Sequence, residues 1–557
     1  MKLRSFFSPL AVGVLLLLIV AGSFFGFPSS AQARMPQENT LSNPSTTIFV
    51  SKQTPLMVSL LGEREDLEEL RELADSMVAP LNLNYRQDIQ SWVGDEMTMA
   101  IDSLDFDRNS DNSTQPGYLL ALTTENPEKA KAALQVFYTK KSVVGEGDLV
   151  FEPYKGVTIL YKRPLSGLIQ DSPQSQPPQI IASAVVANRF VLFANHPKVL
   201  RDAINNVQVP NLNLENSPEY QKILPSLTEE RSGIGFINVP ALAAWISGDF
   251  IPKREPFEAS QTMGIAFSLH GNELLAHAAT LGSQSSEETI APILSETVNA
   301  LQYIPGESTL AIAGTDLNKL WYSLSTGLAN DDILKSLLDR SIARLQSGWE
   351  IQLPEEIFSW VRGEYALCLL PTADVMNPDW IFVAQKFDSA NAEAAIAALD
   401  ELAETQGLTA GTLPFRDRNL TVWTKLLPSS VKDTKDGLLN LEAKVQGIHT
   451  SIGNYEIFTN SIEAMDEALQ GLDNSLLSSN TFQDAIAPLP FNNNGYFYLY
   501  WPHSKAFLEH QLPLLRVLEF LGQPLFHNLH TLSVSNYGID KGVQESKLFF
   551  RFFEDED

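Results

Sequence analysis

Ser91-Trp92-Val93-Gly94-Asp95-Glu96 returns 268 residues later as Ser359-Trp360-Val361-Arg362-Gly363-Glu364. Each copy opens a run with strand character, Trp92–Ala100 in the first and Trp360–Leu370 in the second. Upstream of the first copy, Ile48–Val50 and Leu56–Leu61 bracket Thr54-Pro55 and read as extended chain. Asp66–Val78 then carries Leu67, Leu70, Ala74 and Met77 at helical spacing. Downstream come the strand Tyr118–Thr123, an Asn126-Pro127 helix start and the stripe Ala130, Ala133, Leu134 and Phe137. Two hairpins are expected, Val150–Tyr161 around Lys155-Gly156 and Ile180–Phe193 around Ala187-Asn188. A helix from Pro197 to about Val207 and strands at Gly233–Asn238 and Gly264–Leu281 complete the set.

The same order recurs around the second copy. A strand at Thr309–Ala313 precedes a helical region Leu317–Leu345. Trp380–Gln385 is a strand, Ala392–Ala403 a helix and Leu420–Leu426 a strand. Phe458, Asn460 and Ala468 match Phe193, Asn195 and Ala203 at an offset of 265, and Gly495 matches Gly233 at 262. Leu532–Ile539 and Gln544–Phe553 close the chain as a hairpin. Polar, breaker-rich insertions fall at equivalent places, Asp171–Gln179 and Pro428–Gly437, as loop variation predicts. Strands come in adjacent pairs, which predicts the α+β class: two tandem units, each an antiparallel or mixed sheet with helices on one face. The units are expected at 34–283 and 301–557, with 284–300 as linker.

Residues 1–33 read as an export signal. Lys2 and Arg4 precede the apolar run Leu10–Gly22, and Ala31-Gln32-Ala33 suits cleavage before Arg34. The rival reading is an uncleaved anchor, because apolar character continues to Phe27. Export by the general secretory route is expected, since no twin-arginine pair precedes the run. The mature chain would carry 37 Lys and Arg against 67 Asp and Glu. That balance argues against nucleic acid as a partner. The single cysteine, Cys368, excludes an internal disulfide and reads as a buried apolar residue.

Candidate chemistry is sparse. Asp105, Asp107, Asn109 and Asp111 have the alternate spacing of oxygen ligands at the start of an EF-hand loop, a weak calcium candidate. The pattern then breaks at Ser110 and Pro116. Four of the eight histidines, His503, His510, His527 and His530, fall near one another, but zinc would need a shared geometry that Pro513, Gly522 and Pro524 interrupt. Trp92 and Trp360 are expected at helix–sheet junctions, Glu96 and Glu364 on turn backbone, and Asn195 and Asn460 as helix N-caps. No serine elbow, phosphate loop or dinucleotide fingerprint occurs. Leu512–Phe526 is apolar and reads as part of the second core.

The export signal, the Thr-Pro-Leu strand, the Ser-Trp-Val-x-x-Glu anchors and the Phe-Ala-Asn element before a helix together resemble a family of exported cyanobacterial proteins classed as a domain of unknown function. That resemblance implies a periplasmic or thylakoid-lumen address, with possible membrane attachment through the N-terminus, and no catalytic residue. A non-enzymatic binding or assembly protein with a protein partner is the leading expectation. A carrier of an apolar ligand such as a lipid or pigment comes second, and an enzyme with an unrecognised site third. No cofactor beyond weak calcium is expected.

Overall fold

The computed structural model describes residues 43–62, 70–81, 83–107, 115–139, 147–164, 180–227, 231–239, 241–242, 262–281, 294–327, 352–371, 378–429, 440–505, 528–540 and 543–553. The first ten strands are β1 (Leu56–Leu61), β2 (Glu96–Ser103), β3 (Gly117–Thr123), β4 (Gly147–Tyr154), β5 (Val157–Pro164), β6 (Ala182–Val186), β7 (Phe190–Ala194), β8 (Gly233–Asn238), β9 (Thr262–His270) and β10 (Glu273–Leu281). The other ten are β11 (Leu310–Thr315), β12 (Glu364–Leu369), β13 (Trp380–Gln385), β14 (Thr409–Phe415), β15 (Arg418–Ser429), β16 (Asn440–Ile452), β17 (Tyr455–Thr459), β18 (Gly495–Tyr500), β19 (Leu529–Asp540) and β20 (Val543–Phe552). All pair antiparallel, so the fold is α+β.

The pairings trace one sheet. From one edge the first half runs β4-β5-β6-β7-β3-β2-β1-β8-β9-β10. From the opposite edge the second half runs β14-β15-β16-β17-β13-β12-β11-β18-β19-β20. The order is the same with ten added to each number. The halves meet where β10 pairs β20 along nine residues, from Glu273 opposite Arg551 to Leu281 opposite Val543. The expectation of one sheet per unit is therefore corrected. A last strand left unpaired would expose a row of N–H and C=O groups, and here each half's last strand closes the other's edge. The outer strands β4 and β14 each carry a proline next to their last residue, Pro153 and Pro414, which removes a donor from an open edge.

The described α-helices include α1 (Arg71–Val78), α2 (Pro127–Thr139), α3 (Pro197–Gln208), α4 (Pro218–Ile223), α5 (Leu317–Gly327), α6 (Ser389–Thr405), α7 (Ile462–Ala468) and α8 (Asn480–Ile486). They cover both sheet faces rather than one. Alternate residues of β1 show it: Leu56, Val58 and Leu60 pack with α1 and α2, while Met57 packs with α3 and α4. In the second half α5 and α6 lie on the first of these faces, and α7 and α8 on the other. The cause is legible in the strands. β3 and β7 are buried at every residue, with no polar alternation, so both faces need cover. On the α1 side a single apolar layer crosses the junction, joining Leu274, Ala276 and Ala278 of β10 to Leu548 and Phe550 of β20 and Leu532 and Val534 of β19.

The hairpins turn where expected. Lys155-Gly156 and Ala187-Asn188 all have positive φ, which suits the two-residue turn between Tyr154 and Val157 and the three-residue turn between Val186 and Phe190. The strand β14 was not anticipated, because Thr409–Phe415 contains Gly411 and Pro414 and little apolar alternation. The signal region, residues 284–293 of the linker, most of Leu317–Leu345 and Leu512–Phe526 lie outside the described residues, while the end of the linker, 294–300, leads into the 3-10 turn Asn299–Tyr303.

Candidate functional site

The repeated anchors turn out to be joints. Trp92 is 1% exposed, and its Nε1 donates to Asp88 O, 2.7 Å away, at the end of the helical turn Tyr85–Ile89. Trp360 does the same to Glu356 O at 3.1 Å, after the turn Leu353–Phe358. Glu96 is buried, and its carboxylate accepts from the backbone N–H and the hydroxyl of both Ser45 and Thr46. It thereby satisfies the open N–H groups of the 3-10 turn Ser45–Ile48. Glu364 holds the equivalent turn Asn299–Tyr303 through Ala300 N and Asn299 Nδ2, and also accepts from Tyr455 Oη. Both glutamates bond turn backbone, as expected.

Asn195 and Asn460 are not N-caps. Asn195 Oδ1 accepts from Tyr118 N while its Nδ2 donates to Pro116 O, pinning the start of β3. Asn460 repeats this with Trp380 N and Pro378 O on β13. The caps are the next residues, His196 and Ser461, whose side chains accept from Lys198 N and Ala464 N. Sequence position alone does not distinguish a residue that caps a helix from its neighbour that ties a strand.

In the acidic loop Asp105 is buried, its Oδ1 accepts from Gln115 N, and burial raises its pKa. Lys198 places its ammonium on Phe106 O, between the two described acids Asp105 and Asp107. Asn109 and Asp111 lie outside the described residues. Among the described residues no group of three or more His, Cys, Asp or Glu is arranged to hold a metal ion. His503 and His530 both pack edge-on against Tyr500, at 4.8 and 5.3 Å between centroids, whereas His510 and His527 lie outside the description. Cys368 is fully buried in β12, where burial pushes its thiol up to about 12 and leaves it inert.

The densest chemistry lies elsewhere, on the outer strands of the second half. His449 of β16 is sandwiched between Trp423 and Phe458, with ring centroids 5.5 and 5.4 Å away. Its Nδ1 is 2.7 Å from Glu456 Oε1 on β17, and its Nε2 is 3.1 Å from Asp400 Oδ1 on α6. Trp423 Nε1 of β15 donates to the same Asp400 oxygen at 2.7 Å. Ser451 Oγ donates to Glu456 Oε2, and Lys386 Nζ reaches Ser451 Oγ at 3.0 Å and Glu456 Oε2 at 3.9 Å. The His449 and Glu456 side chains are 6% and 3% exposed. Burial opposes a charge on His449, but its hydrogen bonds to Asp400 and Glu456 outweigh this and raise its pKa to about 9. Burial likewise works against Asp400, and the bonds from His449 and Trp423 still hold it below the ordinary carboxylate range.

This arrangement is an ion-pair clamp. Both imidazole nitrogens are taken by carboxylates, and the one hydroxyl in the group donates to Glu456 rather than to the imidazole. Nucleophilic catalysis needs the reverse order, with the base on the hydroxyl and the acid behind it. The clamp ties α6 to three strands. At the equivalent place in the first half the group is neutral: Tyr138 Oη of α2 meets Ser183 Oγ of β6 at 3.0 Å and Leu160 O of β5 at 2.8 Å. The sequence did hold a partial signal. Gly453-Asn454 forms a two-residue turn, which sets Ser451 opposite Glu456 and His449 opposite Phe458, so His449 and Glu456 become diagonal neighbours on one face. Asp400 comes from a distant helix and carries no such signal.

Asp102, at the end of β2, is another perturbed acid. Burial, opposed by a hydrogen bond from Ser51 N and reinforced by Asp202, raises its pKa to about 7.

The molecule is thus an α+β protein organised on one long antiparallel sheet, with its repeated sequence anchors spent on joints. It belongs to the DUF3352 family, described as a protein of unknown function, whose model matches residues 10–552. No curated protein matches the chain. Among solved structures it is similar to two crystal forms of TP0453, at 10% identity and TM-scores of 0.26 and 0.25. These cover 44% and 43% of this chain and 82% and 80% of the other. Among the described residues no helix is long and apolar enough to cross a membrane.

Proposed function

We propose that this is an exported, non-enzymatic binding or assembly protein of the periplasm or a thylakoid lumen, built from one α+β unit used twice. The units correspond to 34–283 and 301–557, and the N-terminal apolar run either directs export or holds the chain at a membrane. The observation that carries the reading is the way the titratable groups are used. The clamp around His449 and the carboxylates of Glu96 and Glu364 are all spent on holding elements together. They leave a helix-clad antiparallel sheet of twenty strands, which suits holding partners in place more than transforming a substrate. The identical strand order of the halves supports duplication.

The test is affinity capture of the tagged full chain from detergent-solubilised membranes of the source cell, with crosslinking before lysis. A reproducible protein partner in stoichiometric amount is the expected result. Recovery of no partner above the untagged control would refute an assembly role.

A further inference from the structure

We propose that the outer edge of the first half is a docking surface for an anionic lipid bilayer. The described residues of α2, the hairpin β4–β5, β6, β7 and the start of α3 (127–139, 147–164 and 180–201) contain 8 Lys and Arg against 3 Asp and Glu, a net +5 in a chain of −28. The equivalent described stretches of the second half, 389–429 and 440–466, have 4 against 9, a net −5. The argument from whole-chain charge against anionic surfaces therefore fails at this end of the sheet.

The same end carries exposed apolar side chains. β4 is the outer strand, and on its α2 side stand Leu149, Phe151 and Pro153. Phe151 is 61% exposed and Leu149 41%, and Val136 of α2 is 58% exposed. Across from them β5 presents Lys162, Leu160 and Thr158, so these six positions include a cation and no acid. The acids of β4 point the other way, where Glu152 pairs with Arg201 of α3 at 2.8 Å. At the matching positions of β14 the second half has Ala410 and Thr412, so the fold itself does not demand apolar side chains here.

Cations around a small apolar wedge are what an interfacial binder needs: long-range attraction to anionic headgroups, then shallow insertion of Phe and Leu. Leu149 and Val136 offer no ring on which a base could stack, which favours lipid over nucleic acid. The acidic remainder of the chain would face away from the bilayer.

The only cysteine is buried, so a thiol-reactive polarity-sensitive dye can be placed at Phe151→Cys in the full chain, with Phe387→Cys as control, since Phe387 is 73% exposed in the second half. On adding vesicles of phosphatidylcholine with phosphatidylglycerol, the dye at 151 should shift to the blue, less so at high salt. Pure phosphatidylcholine should give no shift, and neither vesicle should move the dye at 387. The double variant Leu149→Ser/Phe151→Ser should partition about tenfold more weakly, and Lys129→Glu about fivefold. The proposal is overturned by no shift at 151, by equal shifts at 387 or on neutral vesicles, or by correctly folded variants that partition like the wild type. A response at 151 to an oligonucleotide but not to vesicles would also overturn it, in favour of nucleic acid.

Discussion

The clamp around His449 makes the stability of the protein fall across an alkaline window that few other groups share. In the folded chain His449 is held protonated to about 9, against an ordinary value of 6.5. In the unfolded chain it loses its proton near 6.5. Between these values the folded state binds the extra proton, so stability decreases as pH rises. The contribution is complete below 6.5 and gone above about 9. A difference of this size corresponds to about 3 kcal/mol at 1.36 kcal/mol per pH unit. The side chain is 6% exposed, so solvent screening does not erase it. Asp102 also binds its proton more tightly when folded, but its window ends near 7. The range from pH 7 to 9.5 therefore isolates His449. The assay is urea unfolding of wild type and His449→Gln at half-unit steps, followed by tryptophan fluorescence, with the Trp423 ring centroid 5.5 Å from that of the imidazole. At pH 6.5 the variant should be less stable by about 3 kcal/mol, because Asp400 and Glu456 lose their shared cation. The gap should shrink steadily and nearly close by pH 9.5. Two parallel stability curves across this range would refute the clamp.

Asp102→Asn should raise the melting temperature at pH 8 and not at pH 4. Wild-type Asp102 ionises in a buried site above about 7, and this costs up to about 4 kcal/mol between 3.8 and 7. Glu96→Ala should destabilise by about 3 kcal/mol in denaturant titrations, and Glu364→Ala by less, because Glu96 closes four donors of Ser45 and Thr46 in a buried site while Glu364 is partly exposed. Gly447→Ala should cost about 1–3 kcal/mol and change the near-ultraviolet dichroism, since a Cβ at Gly447 would lie 2.6 Å from Cε3 of Trp423.

What the sequence made legible was local. Periodicity and turn chemistry placed α2, α3 and α6 and the hairpins at Lys155-Gly156 and Ala187-Asn188, because those signals lie within a few residues of one another. The two-sided cover is also written in Tyr118–Thr123 and Phe190–Ala194 as runs without alternation, whereas the pairing of strands alone predicts helices on one face. The single sheet was not legible. Nothing local to β10 or β20 says that the last strand of one half will pair with the last strand of the other. The clamp was half legible: a two-residue turn fixes His449 against Glu456, while Asp400, 49 residues away, enters only through the packing of α6 on the sheet. The calcium candidate rests on spacing alone, and two of its four residues, Asn109 and Asp111, lie outside the described residues.

The junction between the halves explains why neither half's last strand need pair with a second molecule. The β9–β10 and β19–β20 turns set residue n of the first half against n + 270 of the second, so His277 and Lys547 are counterparts, and they pair with each other at the centre of the β10–β20 ladder. Two copies of β10 joined in the same way would put Glu273 opposite Leu281, and two copies of β20 would put Lys547 opposite Lys547. Only the mixed ladder brings Glu273 to Arg551, 3.7 Å apart, and spares the repulsion of facing lysines. A bulge adds to this preference. The register of β19 slips between Asn536 and Gly538, which makes Tyr537 an extra residue without a counterpart in β9. Its hydroxyl hydrogen-bonds His277 Nε2 across the junction. A bulge that re-aims one side chain onto the other half serves only the mixed pairing. The specificity of the junction therefore lies in the residues that break the resemblance between the halves, while the shared anchors, Trp92 with Glu96 and Trp360 with Glu364, only rebuild the same unit on either side of it.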